Sequence, residues 1–74
     1  MNGFIVVARL GDGLYRVTTD GWPALWVRRT LRRDAECAAT GAELHKGERH
    51  YGPVGNMMYR FRRLSTDFVE GRRE

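Results

Sequence analysis

With 74 residues the chain has room for one domain, and a second independent core is excluded. Hydrophobic residues at 42% and charged ones at 30% give a globular balance, and no apolar run approaches the ~20 residues that cross a bilayer. Thirteen basic against nine acidic side chains leave a net charge of +4, and every base except Lys46 is an arginine, which favours anionic partners. A chain of this size buries only about 60% of the surface its unfolded form exposes, so such domains often need a metal, a disulfide or a partner subunit. Cys37 is the single cysteine, and no intrachain disulfide can form. The chain also begins without a charged stretch leading into an apolar segment and a cleavage site. The expectation is a cytoplasmic protein with Cys37 packed as a small hydrophobe, its thiol raised by burial and inert. Any homo-oligomer is expected to form through an exposed strand edge.

Phe4 to Ala8 is a β-rich apolar run that ends at Gly11-Asp12-Gly13, a turn signal. Leu14 to Thr19 alternates as a strand does. Asp20-Gly21-Trp22-Pro23 reads as a second turn, and Ala24 to Thr30 as a third strand. A two-residue and a four-residue connection between the last two place Trp26 against different partners, so the register stays open. Leu31 to Ala39 contains helix formers but is cut off at Thr40-Gly41, which predicts a short helix or a knuckle. Lys46-Gly47-Glu48 reads as a turn into Arg49-His50-Tyr51, and Gly52 to Asn56 as a loop. Met57 to Arg63 fits a strand, although Met57, Phe61, Leu64 and Phe68 also share a helical face. Ser65 or Thr66 caps a short helix from Asp67 to Glu70, which Gly71 ends, with Arg72 and Arg73 near its negative end. The fold class is therefore mainly β with a small helical part. It is an antiparallel meander of about five strands, an SH3-like or OB-like partial barrel, with a short helix or knuckle near 31–40 and a short C-terminal helix.

The charge is unevenly spread. Residues 1–27 sum to zero, 28–33 carry +4, 34–48 carry −3, 49–63 carry +4 and 64–74 carry −1. The first basic block is Arg28, Arg29, Arg32 and Arg33, and the second includes Arg60, Arg62 and Arg63. Trp26 stands near the first, while Tyr59 and Phe61 lie inside the second. Guanidinium groups pair bidentately with phosphate oxygens, and aromatic faces stack unpaired bases at ~1–3 kcal/mol each. The alternative is a solvated face in which arginine stems shield a thin core.

Cys37-Ala38-Ala39-Thr40-Gly41, followed by Leu44 and by Lys46-Gly47-Glu48, resembles the first half of a zinc-knuckle or treble-clef module. In that family two thiolates on a tight turn and a second downstream pair converge on zinc. Here Thr40 stands at the second ligand position. A further resemblance, from Arg32 to Ser65, is to small phage- or prophage-type proteins with a Cys-x-x-Thr-Gly turn, a Lys-Gly-Glu turn, a Gly-Pro-Val-Gly-Asn loop and an Arg-rich strand. The hairpin patterning from Gly11 to Gly21 is similar to the opening of small OB-type proteins such as bacterial translation initiation factor 1. Cys37, His45 and His50 could supply one thiolate and two imidazoles, but no carboxylate is placed to orient either ring. No metal or other cofactor is expected.

Catalytic signatures are missing. Ser65 is the only serine and sits at a helix cap, and Gly11-Asp12-Gly13 lies between strands rather than before a helix. The composition points to a non-enzymatic module that binds DNA or RNA. Arg28, Arg29, Arg32, Arg33, Arg60, Arg62 and Arg63 would contact phosphate, and Trp26 and Tyr59 would stack. The competing expectation is a small phage-type accessory or inhibitor protein that binds an acidic surface of a host protein through the arginine-rich strand, or through Trp22 and Trp26. Which holds turns on whether the two basic blocks share a face.

Overall fold

The computed structural model describes residues 3–55 and 62–71. Three strands open the chain as a meander: β1 (Phe4–Gly11), β2 (Leu14–Thr19) and β3 (Trp22–Thr30). The β2–β3 connection is a two-residue turn, with Asp20 at φ 51° and Gly21 at φ 87°. Positive φ at both positions matches the right-handed twist of the flanking strands, and Asp-Gly tolerates it best. This turn resolves the register, placing Thr19 opposite Trp22 and Tyr15 opposite Trp26. Trp22 and Pro23, expected in the turn, are instead the first residues of β3. Pro23 is tolerated there because the next strand pairs with β3 only from Trp26 onward, leaving this end with a single neighbour.

β6 (Arg49–Pro53) lies antiparallel to β3, and β7 (Leu64–Ser65) lies antiparallel to β6. The order β1-β2-β3-β6-β7 makes a five-stranded antiparallel sheet curled into a half-barrel. Register shifts in β1 between Val6 and Ala8, and between Arg9 and Gly11, add to the curl. Gly52 and Pro53, expected in a loop, belong to β6, and the Val54 N–H extends the pairing to the Leu25 carbonyl at 2.9 Å. The strand expected from Met57 to Arg63 lies largely outside the described residues. Arg62 and Arg63 themselves are irregular and lead into β7.

Of the two outcomes expected near 31–40, the knuckle forms. β4 (Ala35–Glu36) and β5 (Glu43–Leu44) make a two-stranded ribbon. Its tip is closed by Cys37 N–H to Ala42 O and Gly41 N–H to Cys37 O, both at 2.8 Å, with Gly41 at φ 80°. About two turns of helix formers cannot offset the cost of helix nucleation. At the end of the described chain, α1 (Thr66–Val69) starts one residue earlier than expected. Ser65 is its N-cap, and its Oγ accepts from the Phe68 N–H at 3.1 Å.

Strand alternation assigns the faces. One face carries Trp26, Arg28, Tyr51 and Leu64, and α1 packs against it. Val17, Trp26, Leu31, Cys37, Leu44, Tyr51, Leu64 and Val69 are buried as one cluster. Edge-to-face contacts of Phe4 on Trp26 and Tyr15 on Tyr51, at centroid distances of 6.0 and 5.4 Å, lock its aromatic members. Val27, Arg29, His50 and Gly52 occupy the other face.

Candidate nucleic-acid interface

Arg29 is exposed and leaves β3 opposite His50, next to Gly52. A Cβ built on Gly52 would meet the Arg29 Cδ at 3.6 Å and the His50 Nε2 at 3.7 Å, so the absent side chain gives the arginine stem its bed. Arg63 directly precedes the Leu64 that pairs with Tyr51, and it lines the same depression as Gly52. Beyond Thr30 the chain bends at Arg32 and Arg33, which line the same depression as Arg29. Arg29, Arg32, Arg33 and Arg63 thus line a single groove of about 840 Å³, with His50, Gly52 and Pro53 in its wall. Asp34 is the acidic member of the lining, and its carboxylate accepts from the Lys46 N–H at 2.8 Å.

Arg63 of the second basic block therefore meets Arg29, Arg32 and Arg33 of the first, and among the described residues the other expected ones do not join them there. Arg28 points to the opposite face. Its guanidinium bonds Glu70 Oε2 at 3.3 Å and Asp12 Oδ1 at 3.2 Å, and Glu70 also accepts from the Tyr51 hydroxyl at 2.9 Å. Burial works against the Arg28 charge, but Asp12, Tyr51 and Glu70 outweigh it and raise its pKa. Arg28 thus belongs to an internal ion-pair network. Arg62 is exposed beside a smaller depression of about 330 Å³ that also touches Glu36, Cys37 and Gly41. Trp26, expected to stack on bases, is fully buried. It sits between Tyr15 and Pro53 on the core face of β3 and offers no surface to a ligand. Tyr59 and Arg60 lie outside the described residues.

From the sequence alone His50 reads only as a metal-ligand candidate and Gly52 as part of a loop. Alternation through Arg49-His50-Tyr51-Gly52 was the available signal, because it sets His50 and Gly52 on one face. His50 is buried, and its Nδ1 has no hydrogen-bond partner among the described residues. Burial, then the charges of Arg63 and Arg29, push its pKa below the ordinary histidine value, against a weaker backbone hydrogen bond with Arg29. His45 lies at the knuckle, exposed, with Nε2 3.8 Å from Glu43 Oε1. Among the described residues no group of three histidine, cysteine or acidic side chains is close enough to hold a metal ion.

Cys37 corrects the expectation of a raised thiol. Burial does raise its pKa, but hydrogen bonds from the Thr40 hydroxyl and from the N–H groups of Ser65, Thr40 and Ala39 outweigh it and bring the value below that of an ordinary cysteine. The Ser65 N–H stands 3.3 Å from the sulfur. Thr40 fixes the turn as well, its Oγ1 accepting from the Ala42 N–H at 3.2 Å.

Among the described residues no helix is long and apolar enough to cross a membrane. Comparison of the chain with protein-family models, with curated proteins and with solved structures finds no match.

Proposed function

We propose that this protein is a non-enzymatic module that binds nucleic acid by laying the phosphodiester backbone along the groove between β3 and the segment leading into β7. The observation that carries this reading is the convergence of Arg29, Arg32, Arg33 and Arg63 on one groove of about 840 Å³. Guanidinium groups on strand and turn backbones present fixed forks to phosphate oxygens. With Trp26 in the core, the affinity supplied by the described residues is phosphate contact, which carries little dependence on base sequence. Four neutralised phosphates give a log–log salt slope of about −3 to −4, shallower on single strands. Fluorescence anisotropy with short DNA and RNA oligonucleotides at several salt concentrations tests this. A flat salt response, or no binding at low salt, would rule it out.

A second reading has its own support. Trp22 is 67% exposed at the start of β3, an aromatic of the kind that anchors a protein partner, while the exposed Ile5 and Leu25 lie on the other face of the sheet. Loss of partner capture on Trp22→Ala, with capture unchanged by nuclease, favours this over nucleic-acid binding.

A further inference from the structure

The groove has a chemical asymmetry that its arginines alone do not explain. Its wall contains a histidine that is 4% exposed, and the charged groups nearest that ring are cationic. Arg29 approaches from β3 and Arg63 from the segment entering β7, while Arg32, Arg33 and Asp34 come from the turn after β3. The ring lies against the groove wall at Gly52, where a built Cβ would stand 3.7 Å from Nε2. Nδ1 has no hydrogen-bond partner among the described residues, and the Arg29 backbone is a weak acceptor for the ring, so an anion in the groove would add the counter-charge that a protonated His50 lacks.

We infer that the groove holds a phosphodiester oxyanion whose binding is coupled to protonation of His50, so that the interface tightens as pH falls. The inference rests on the nucleic-acid reading above and adds a titrating group to it. An empty groove leaves the ring among guanidinium groups, which disfavours a further positive charge. A bound phosphodiester reverses the sign of that field and supplies acceptor oxygens. The complex therefore takes up a proton, the ring passing from neutral imidazole to imidazolium. By linkage the affinity is flat above the bound-state pKa of His50 and rises as pH falls through the window between bound and free values. Each unit of that window is worth about tenfold in affinity.

The test uses the full chain and a short oligothymidylate. Affinity is expected to rise about tenfold between about pH 8 and about pH 5.5, and His50→Gln is expected to flatten the profile. His45→Gln, at the exposed histidine, is expected to keep the wild-type profile. Because His50 is buried and its variant could lose the fold, the wild-type His50 ring is also titrated by NMR with and without the oligonucleotide. An upward shift of about one unit supports the coupling. Several results overturn it: identical pH profiles for wild type and a folded His50→Gln, a His50 titration unmoved by oligonucleotide, or an equal shift caused by inorganic phosphate at matched phosphate concentration. The last would assign the site to a free oxyanion. Salt-sensitive binding that persists at about pH 8 leaves the nucleic-acid reading standing when the coupling fails, whereas no binding at either pH removes both.

Discussion

Arg28 and Arg29 leave β3 on opposite faces of the sheet, the first level with Tyr51 and the second with His50. Adjacent residues of identical chemistry thus have separable roles. Arg29→Ala is expected to weaken oligonucleotide binding and to reduce the magnitude of the salt slope by about one, with an unchanged melting temperature. Arg28→Ala is expected to do the reverse, because it strips Glu70 of its cation while leaving the groove intact. Paired binding and thermal-denaturation curves for both variants decide this.

The floor of the groove can be raised without touching a charge. At Gly52 a Cβ makes ordinary contact with Arg29 and His50, so Gly52→Ala should fold normally. Gly52→Val adds branches where the arginine stem lies. Affinity is expected to fall several-fold, while the circular dichroism spectrum stays that of the wild type.

Tyr51 has a phenolic pKa pushed up to about 12 by burial and by its bond to the Glu70 carboxylate. Its folded value exceeds its unfolded one, so this contribution to stability is complete below about pH 10 and disappears as pH rises through about 12. Tyr51→Phe removes the hydroxyl and is expected to cost about 1–2 kcal/mol in urea denaturation at neutral pH.

His50 has the opposite linkage. Its pKa in the folded state lies below the unfolded value of about 6.5, so the unfolded chain binds the proton more readily. In the free protein the stabilisation is present above about pH 6.5 and is lost as pH falls toward the folded-state pKa. The urea midpoint in phosphate-free, low-salt buffer is expected to decline over that interval, and to decline less when oligonucleotide is present.

Cys37 combines a lowered thiol pKa with 2% exposure. A disulfide reagent should therefore modify it only through opening of the fold, at a rate that climbs with urea. Cys37→Ala removes the acceptor of the Ser65 N–H and is expected to cost about 1–3 kcal/mol, whereas Cys37→Ser keeps an acceptor and costs less.

Much of the sheet was legible because its signals are local. Asp12-Gly13 and Asp20-Gly21 mark turns through backbone conformations that few residues tolerate, and the alternation of Leu14 to Thr19 names its own buried face. A cap at Ser65 or Thr66 is readable from the short hydroxyl side chains before a helical stretch, and Ser65 takes it. What local signals could not supply was the partner of each strand. Gly52-Pro53 has the composition of a loop and is held in β6 by pairing with Val27 and Trp26, far away in sequence. Trp26 looked like a stacking residue because of the arginines beside it, yet one position along a strand reverses the face. The meeting of residues 29–33 with Arg63 depends on the same long-range register. Both blocks are visible in the charge pattern, whereas the pairing of Arg28 with Glu70 and Asp12 depends on contacts distant in sequence.

The knuckle determines more than its own shape. The Ala38 N–H bonds the Arg63 carbonyl at 2.7 Å, and two residues later the Ser65 N–H meets the Cys37 sulfur. The backbone of the groove's second wall is therefore suspended from the same turn at both points. The Cys37 sulfur, accepting a backbone hydrogen bond from Ser65, anchors this turn to the sheet. The spacing between Arg63 and the arginines of the opposite wall is thus a mechanical property of the acidic segment, and substitutions at Ala38 or Thr40 would shift that spacing without touching any of the four guanidinium groups.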